Sequence, residues 1–185
     1  MLLAVGLAVA SLLACSPRPD RPKPITHDKS LPTCDALAPV LTSLGMSRPE
    51  VQPPSRSNLA PTEINCPFAL PEPITAPGIA SATVIAVRPD TDPYEGVPLQ
   101  KWGETFVSSY ECEGLKRPAP SVPQGTFCYE PNSVHSGSAT LVGFPQNSYI
   151  RVRVQWWDPD ATDVGLRTTA EQKTDDLAQR LIAML

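Results

Sequence analysis

The sequence predicts an α+β fold, an antiparallel sheet with helices packed on one face, and three observations carry that prediction. Short β-branched or alternating runs recur between residues 63 and 157, separated by turn-forming residues. Two stretches, one central and one C-terminal, repeat apolar residues at spacings of three and four. The elements so read run in the order α-β-β-α-β-β-β-α, which suits helices packed on one face of an antiparallel sheet.

The first helix is expected near Cys34. Cys34-Asp35-Ala36-Leu37 suits one helical turn, and Pro39 suits the first position of a short helix through Val40, Leu41 and Leu44, closed by Gly45. Arg48 to Pro61 is rich in Pro, Ser and Asn and reads as a loop. Glu63 to Leu70 reads as a strand that Pro67 demotes to an edge or bulge. Ile79 to Val87 is a stronger strand, with Ile79, Thr83, Val84, Ile85 and Val87.

Pro98 to Glu111 follows as an amphipathic helix, its stripe made of Leu99, Trp102, Phe106, Val107 and Tyr110. Gly114 to Gly125 reads as a Pro-rich loop. Thr126–Glu130, Ser138–Phe144 and Tyr149–Trp157 are three further strands, the last two joined by a turn at Pro145-Gln146-Asn147-Ser148. The last strand alternates cleanly. Ile150, Val152, Val154 and Trp156 share one face, and Tyr149, Arg151, Arg153, Gln155 and Trp157 share the other. The chain ends in a helix announced by the capping-box pair Thr168 and Glu171, with Ala170, Leu177, Ala178, Leu181, Ile182 and Leu185 as its stripe.

The N-terminus reads as a targeting segment. Leu2 to Ala14 is apolar, about 20 Å long as a helix, and short of the ~30 Å needed to span a bilayer core. It suits the apolar region of a signal peptide. No Lys or Arg precedes it, so either the true start lies upstream of Met1 or the Met1 amine supplies the positive charge. Leu12-Leu13-Ala14-Cys15 resembles the lipobox of bacterial lipoproteins. The resemblance implies that the Cys15 thiol takes a diacylglycerol, that cleavage falls before it, and that the mature chain is a palmitate-type lipoprotein anchored at the extracytoplasmic face of the cell membrane. An ordinary secretory signal with an incidental cysteine is the competing reading. Residues 1–14 are therefore assigned to a signal peptide, 15–32 to the lipidated cysteine and a linker carrying Pro17, Pro19, Pro22, Pro24 and Pro32, and 33–185 to one extracytoplasmic domain.

Beyond Cys15 there are four cysteines, Cys34, Cys66, Cys112 and Cys128. An even number in an exported chain implies two disulfides, for which three connectivities exist. The sequential pairing, Cys34–Cys66 and Cys112–Cys128, is favoured because each bridge then closes a modest loop between adjacent elements. No CxxC or Cys/His spacing suggests a metal site, and no cofactor motif occurs.

Charge is uneven. Ser16–Ser30 holds four basic and two acidic residues, whereas Leu31–Leu185 holds 11 basic and 17 acidic. A basic linker suits anionic headgroups, while an acidic domain makes nucleic acid an unsuitable partner.

Taken together, the lipobox-like end, the Pro-rich linker, Cys34-x-x-Leu37, Leu44-Gly45, Cys66 before an aromatic and the three-stranded meander resemble one family. It is the actinobacterial, mycobacterial-type cell-envelope lipoproteins with a domain of unknown function. Ten Arg against five Lys, with abundant Ala and Pro, fit a GC-rich genome. A weaker similarity is to the disulfide-bonded extracytoplasmic sensor domains of mycobacterial kinases. Neither resemblance supplies catalytic residues.

Few residues point to chemistry. His135 could pair with Ser133 or Ser136 in an envelope hydrolase, but no G-x-S-x-G turn accompanies it and an exposed loop histidine is the simpler reading. Asp158-Pro159-Asp160-Ala161-Thr162-Asp163 resembles half of a calcium loop, yet Asp163 stands where glycine belongs and Thr169 where the bidentate Glu belongs, so an acidic turn is preferred. Glu111 and Glu113 flank Cys112 too closely to face each other. Arg151, Arg153 and Trp157 share one strand face and form the candidate binding patch. The expectation is a non-catalytic binding module for an envelope lipid or protein partner. An enzyme around His135 and a structural spacer are the alternatives.

Overall fold

A computed structural model of the chain describes residues 25–27, 29–53, 62–89 and 98–185. The signal segment, Cys15 and most of the linker lie outside the described residues, as does part of the loop expected up to Pro61.

The α+β expectation holds. Helix α1 (Cys34–Leu44) begins where the Thr33 hydroxyl accepts from the Ala36 N–H at 3.3 Å and ends at Gly45, whose φ of 110° favours glycine. It is one continuous helix with Pro39 inside it, rather than a turn followed by a helix starting at Pro39. Burial of Cys34, Leu37, Leu41 and Leu44 on one side holds it to the sheet.

The sheet has seven strands: β1 (Glu50–Val51), β2 (Glu63–Ala69), β3 (Gly78–Val87), β4 (Leu115–Ala119), β5 (Gly125–Ser133), β6 (Ser136–Gly143) and β7 (Tyr149–Trp157). Their spatial order is β1-β2-β3-β7-β6-β5-β4, and every neighbouring pair is antiparallel. Two meanders therefore meet where β7 docks on β3. Strands β1 and β4 occupy the two edges and fall in segments that read as loops, because short edge strands with few apolar residues carry no alternation signal. The carbonyl of Pro67 accepts from Gln52 N–H at 2.8 Å. A strand residue's N and O point to the same neighbour, so the N–H that proline lacks is missing on the β1 side and not from the ladder with β3.

Helix α2 (Leu99–Ser108) links the meanders, and α3 (Asp163–Met184) closes the chain. The Thr162 hydroxyl caps α3 by accepting from Gly165 N–H at 3.2 Å, well before the expected box at Thr168. Thr168 lies inside the helix, its hydroxyl donating to Val164 O at 2.8 Å.

Helices α1 and α3 cover one face as expected. Their Leu37, Leu41, Leu177 and Leu181 pack with Phe68, Val84, Leu141, Ile150, Val152 and Val154 in the main core. Each such fully buried side chain contributes about 1.5–3 kcal/mol. Helix α2 lies on the opposite face, which corrects the expectation for that helix. The cause is alternation: Val142 and Tyr149 point away from the main core, and they meet Trp102 and Val107 of α2, with Phe144 joining the cluster.

Both sequential disulfides are present. Cys34–Cys66 ties α1 to β2 with Cα atoms 5.4 Å apart, and Cys112–Cys128 ties the segment after α2 to β5 at 5.7 Å.

Candidate ligand-binding cleft

Antiparallel register assembles a polar row on the sheet face opposite α1 and α3. Thr83 of β3 pairs with Arg153 of β7, Arg153 with Thr140 of β6, and Thr140 with Cys128 of β5. Arg151 lies in the neighbouring row, between Ile85 and Val142. Because Cys128 sits in the same row as Thr140, its disulfide holds Cys112 over this face. Tyr110, two residues upstream, forms a roof. Thr83, Tyr110, Thr140, Arg151 and Arg153 together line a cleft of about 200 Å³.

Elsewhere on this face several polar groups satisfy one another. Ser81 donates to Gln155 Oε1 at 3.0 Å, Gln155 donates to Ser136 Oγ at 2.9 Å, and Asn132 donates to Ser138 Oγ at 2.7 Å. The cleft differs. Thr140 is 2% exposed, and its Oγ1 has no hydrogen-bond partner among the described residues. A buried hydroxyl left unpaired costs about 1–3 kcal/mol, so this one calls for an explanation. Arg153 meets Glu130 at 3.2 Å on the rim, whereas Arg151 makes no ion pair among the described residues. Burial pushes the Tyr149 hydroxyl above its ordinary pKa; the Arg151 charge opposes that shift, and Tyr110 adds to it.

The structure brings together two of the three patch residues. Trp157 does not line the cleft; it lies at the far end of the face, in register with Gly78 and Ser136. Trp156 turns the other way, packs against the helix-covered core, and carries Lys173 Nζ 5.9 Å from its ring centre. Thr83, Thr140 and Tyr110 join the arginines without having been marked in the sequence.

His135 sits in the exposed turn between β5 and β6. Its backbone N–H donates to Ser133 Oγ at 3.2 Å, and its ring has no hydrogen-bond partner among the described residues. Glu111 and Glu113 are exposed. The Asp158 carboxylate accepts from Asp160 N–H at 3.0 Å in a local turn, and no group of three or more metal-ligating side chains occurs among the described residues. No helix among them is long and apolar enough to cross a membrane.

A larger groove of about 590 Å³ runs between β4 and α3, past Pro118, Phe127 and Asp175. Arg117 meets Glu171 Oε2 and Ser121 donates to Asp175, while Glu171 Oε1 is buried without a hydrogen-bond partner among the described residues.

Comparison with protein-family profiles, with curated proteins and with solved structures finds no match to this chain.

Proposed function

We propose that the chain is an exported lipoprotein of the actinobacterial envelope type. In this reading acylated Cys15 holds it at the extracytoplasmic face of the cell membrane, and it acts as a non-catalytic binding module for an envelope lipid or protein partner. The observation that carries the reading is the cleft in which Arg151 and Arg153 converge with the buried, unpaired Thr140. Two disulfides support export, since such bonds persist in oxidising compartments. The cleft has arginine and hydroxyl donors but no nucleophile–base pair, which favours binding over catalysis. The ring of His135, without a described partner, lends the hydrolase alternative no geometry.

Native mass spectrometry of the full chain, released from the envelope in mild detergent, tests both parts. The covalent mass is expected to correspond to a chain starting at Cys15 with acyl groups added. A non-covalent adduct is expected on the wild type and absent from an Arg151→Ala/Arg153→Ala variant. A chain retaining residues 1–14, or lacking acyl mass, defeats the anchor. A wild type and variant with identical adducts, or with none, defeats the binding face.

A further inference from the structure

We propose that the Arg151–Arg153 cleft binds a phosphate group, with Arg151 as its principal charge and Thr140 Oγ as the buried donor at its floor. The proposal deepens the binding reading above and rests on it.

Three features single out a tetrahedral oxyanion. First, the donors approach from several directions. Thr83 and Thr140 line the cleft from β3 and β6, Arg151 and Arg153 from β7 between them, and Tyr110 from the segment that the Cys112–Cys128 bridge pins above. A planar carboxylate offers oxygens in one plane only, whereas a phosphate presents oxygens to floor, walls and roof together. Second, the charge is biased. The residues lining the cleft include two cations and no anion, and Glu130 outside it engages Arg153 alone. In a chain of formal net charge −4 this is a local reversal of sign. Third, the Thr140 hydroxyl is 2% exposed and has no partner among the described residues, on a face where Ser81, Gln155 and Ser136 pair with one another. A valine would fill the same space without an unpaired hydroxyl. A threonine here is accounted for when its hydroxyl donates to a ligand.

Two sources can supply the phosphate, a phospholipid headgroup or a soluble phosphate ester, and the chemistry of recognition is shared.

The test uses the full chain, disulfides intact, in neutral detergent with ¹⁵N-labelled arginine. Arginine Nε–Hε signals are followed during titration with inorganic phosphate, with dihexanoyl phosphatidylglycerol kept below its micelle concentration, and with acetate, all at constant chloride. Saturable shifts of the Arg151 and Arg153 signals are expected with one or both phosphate probes, and not with acetate. Arg180, exposed on α3, should not move. Arg151→Gln should weaken binding at least tenfold. Thr140→Val should weaken it several-fold while melting no lower than the wild type, because an unpaired hydroxyl is removed. That combination separates a ligand contact from a structural role. Tighter binding of the phospholipid than of phosphate supports a headgroup, and the reverse supports a soluble ester. No saturable shift with either probe, an equal response to acetate, or undiminished binding in both variants overturns the proposal. If the native adduct is lost in the double arginine variant while neither phosphate probe binds, the face is a binding site and only the oxyanion assignment fails.

Discussion

At the scale of single residues, Arg88 shows how a buried charge can act as a staple. It is 4% exposed, at the end of β3, and burial lowers the pKa of its guanidinium. Its donors reach Ser148 Oγ at 3.2 Å, the Leu185 carbonyl at 3.0 Å and the Lys29 carbonyl. One side chain thus joins the end of the linker, the turn before β7 and the end of α3. Removing it leaves buried acceptors unpaired, which is the expensive way to break a buried contact. Arg88→Ala is expected to lose about 3 kcal/mol of unfolding free energy in urea denaturation; a loss under about 1 kcal/mol would show that water replaces the guanidinium. Nothing near Arg88 in sequence marks this role, since its partners lie about sixty or more residues away. Arg151 and Arg153 were legible for the opposite reason. Strand periodicity by itself puts both on one face.

At the scale of elements, α2 is held by a close approach. A Cβ at Gly103 would run into the Phe144 ring, so the helix lies nearer to that ring than an alanine allows. Intrinsic helix propensity favours alanine over glycine by about 1 kcal/mol. The contact predicts the reverse outcome. Gly103→Ala should destabilise the protein by about 1–3 kcal/mol, with faster amide exchange confined to α2 and the turn at Pro145–Asn147. A stabilised variant would mean that α2 is only loosely seated. The helix itself was legible from Leu99, Trp102, Phe106, Val107 and Tyr110. Its position on the opposite face was not. An amphipathic stripe says that a helix packs, and does not say against which side of a sheet. Tyr110 reads in sequence as one more member of that stripe, and only its place beyond the helix end makes it a roof over the cleft.

At the scale of the whole molecule, the two disulfides do different work. Cys34–Cys66 closes the longer loop, with a separation of 32 residues against 16. The chain-entropy model assigns about 4 kcal/mol to the first and about 3 kcal/mol to the second. Replacing Cys34 and Cys66 with alanine should therefore lower the denaturation midpoint more than replacing Cys112 and Cys128. The second pair should instead lose the ligand adduct in native mass spectra, because it releases the segment that carries Tyr110. If both double variants keep the adduct equally, the bridge is not part of the site.

The sequence by itself determined the α+β class, most elements and their order, the parity of the cysteines and the common face of Arg151 and Arg153. Each of these follows from composition or from a period of two or about four residues, information held within a short window. Only the tertiary structure decided that β7 inserts between β3 and β6, that the edges are built from two short strands, and that α2 crosses to the open face. These depend on which distant strands pair, for instance Thr83 with Arg153 and Arg153 with Thr140. Pairing of that kind is selected by burial summed over the whole core, so no local run of residues contains the cleft that it creates.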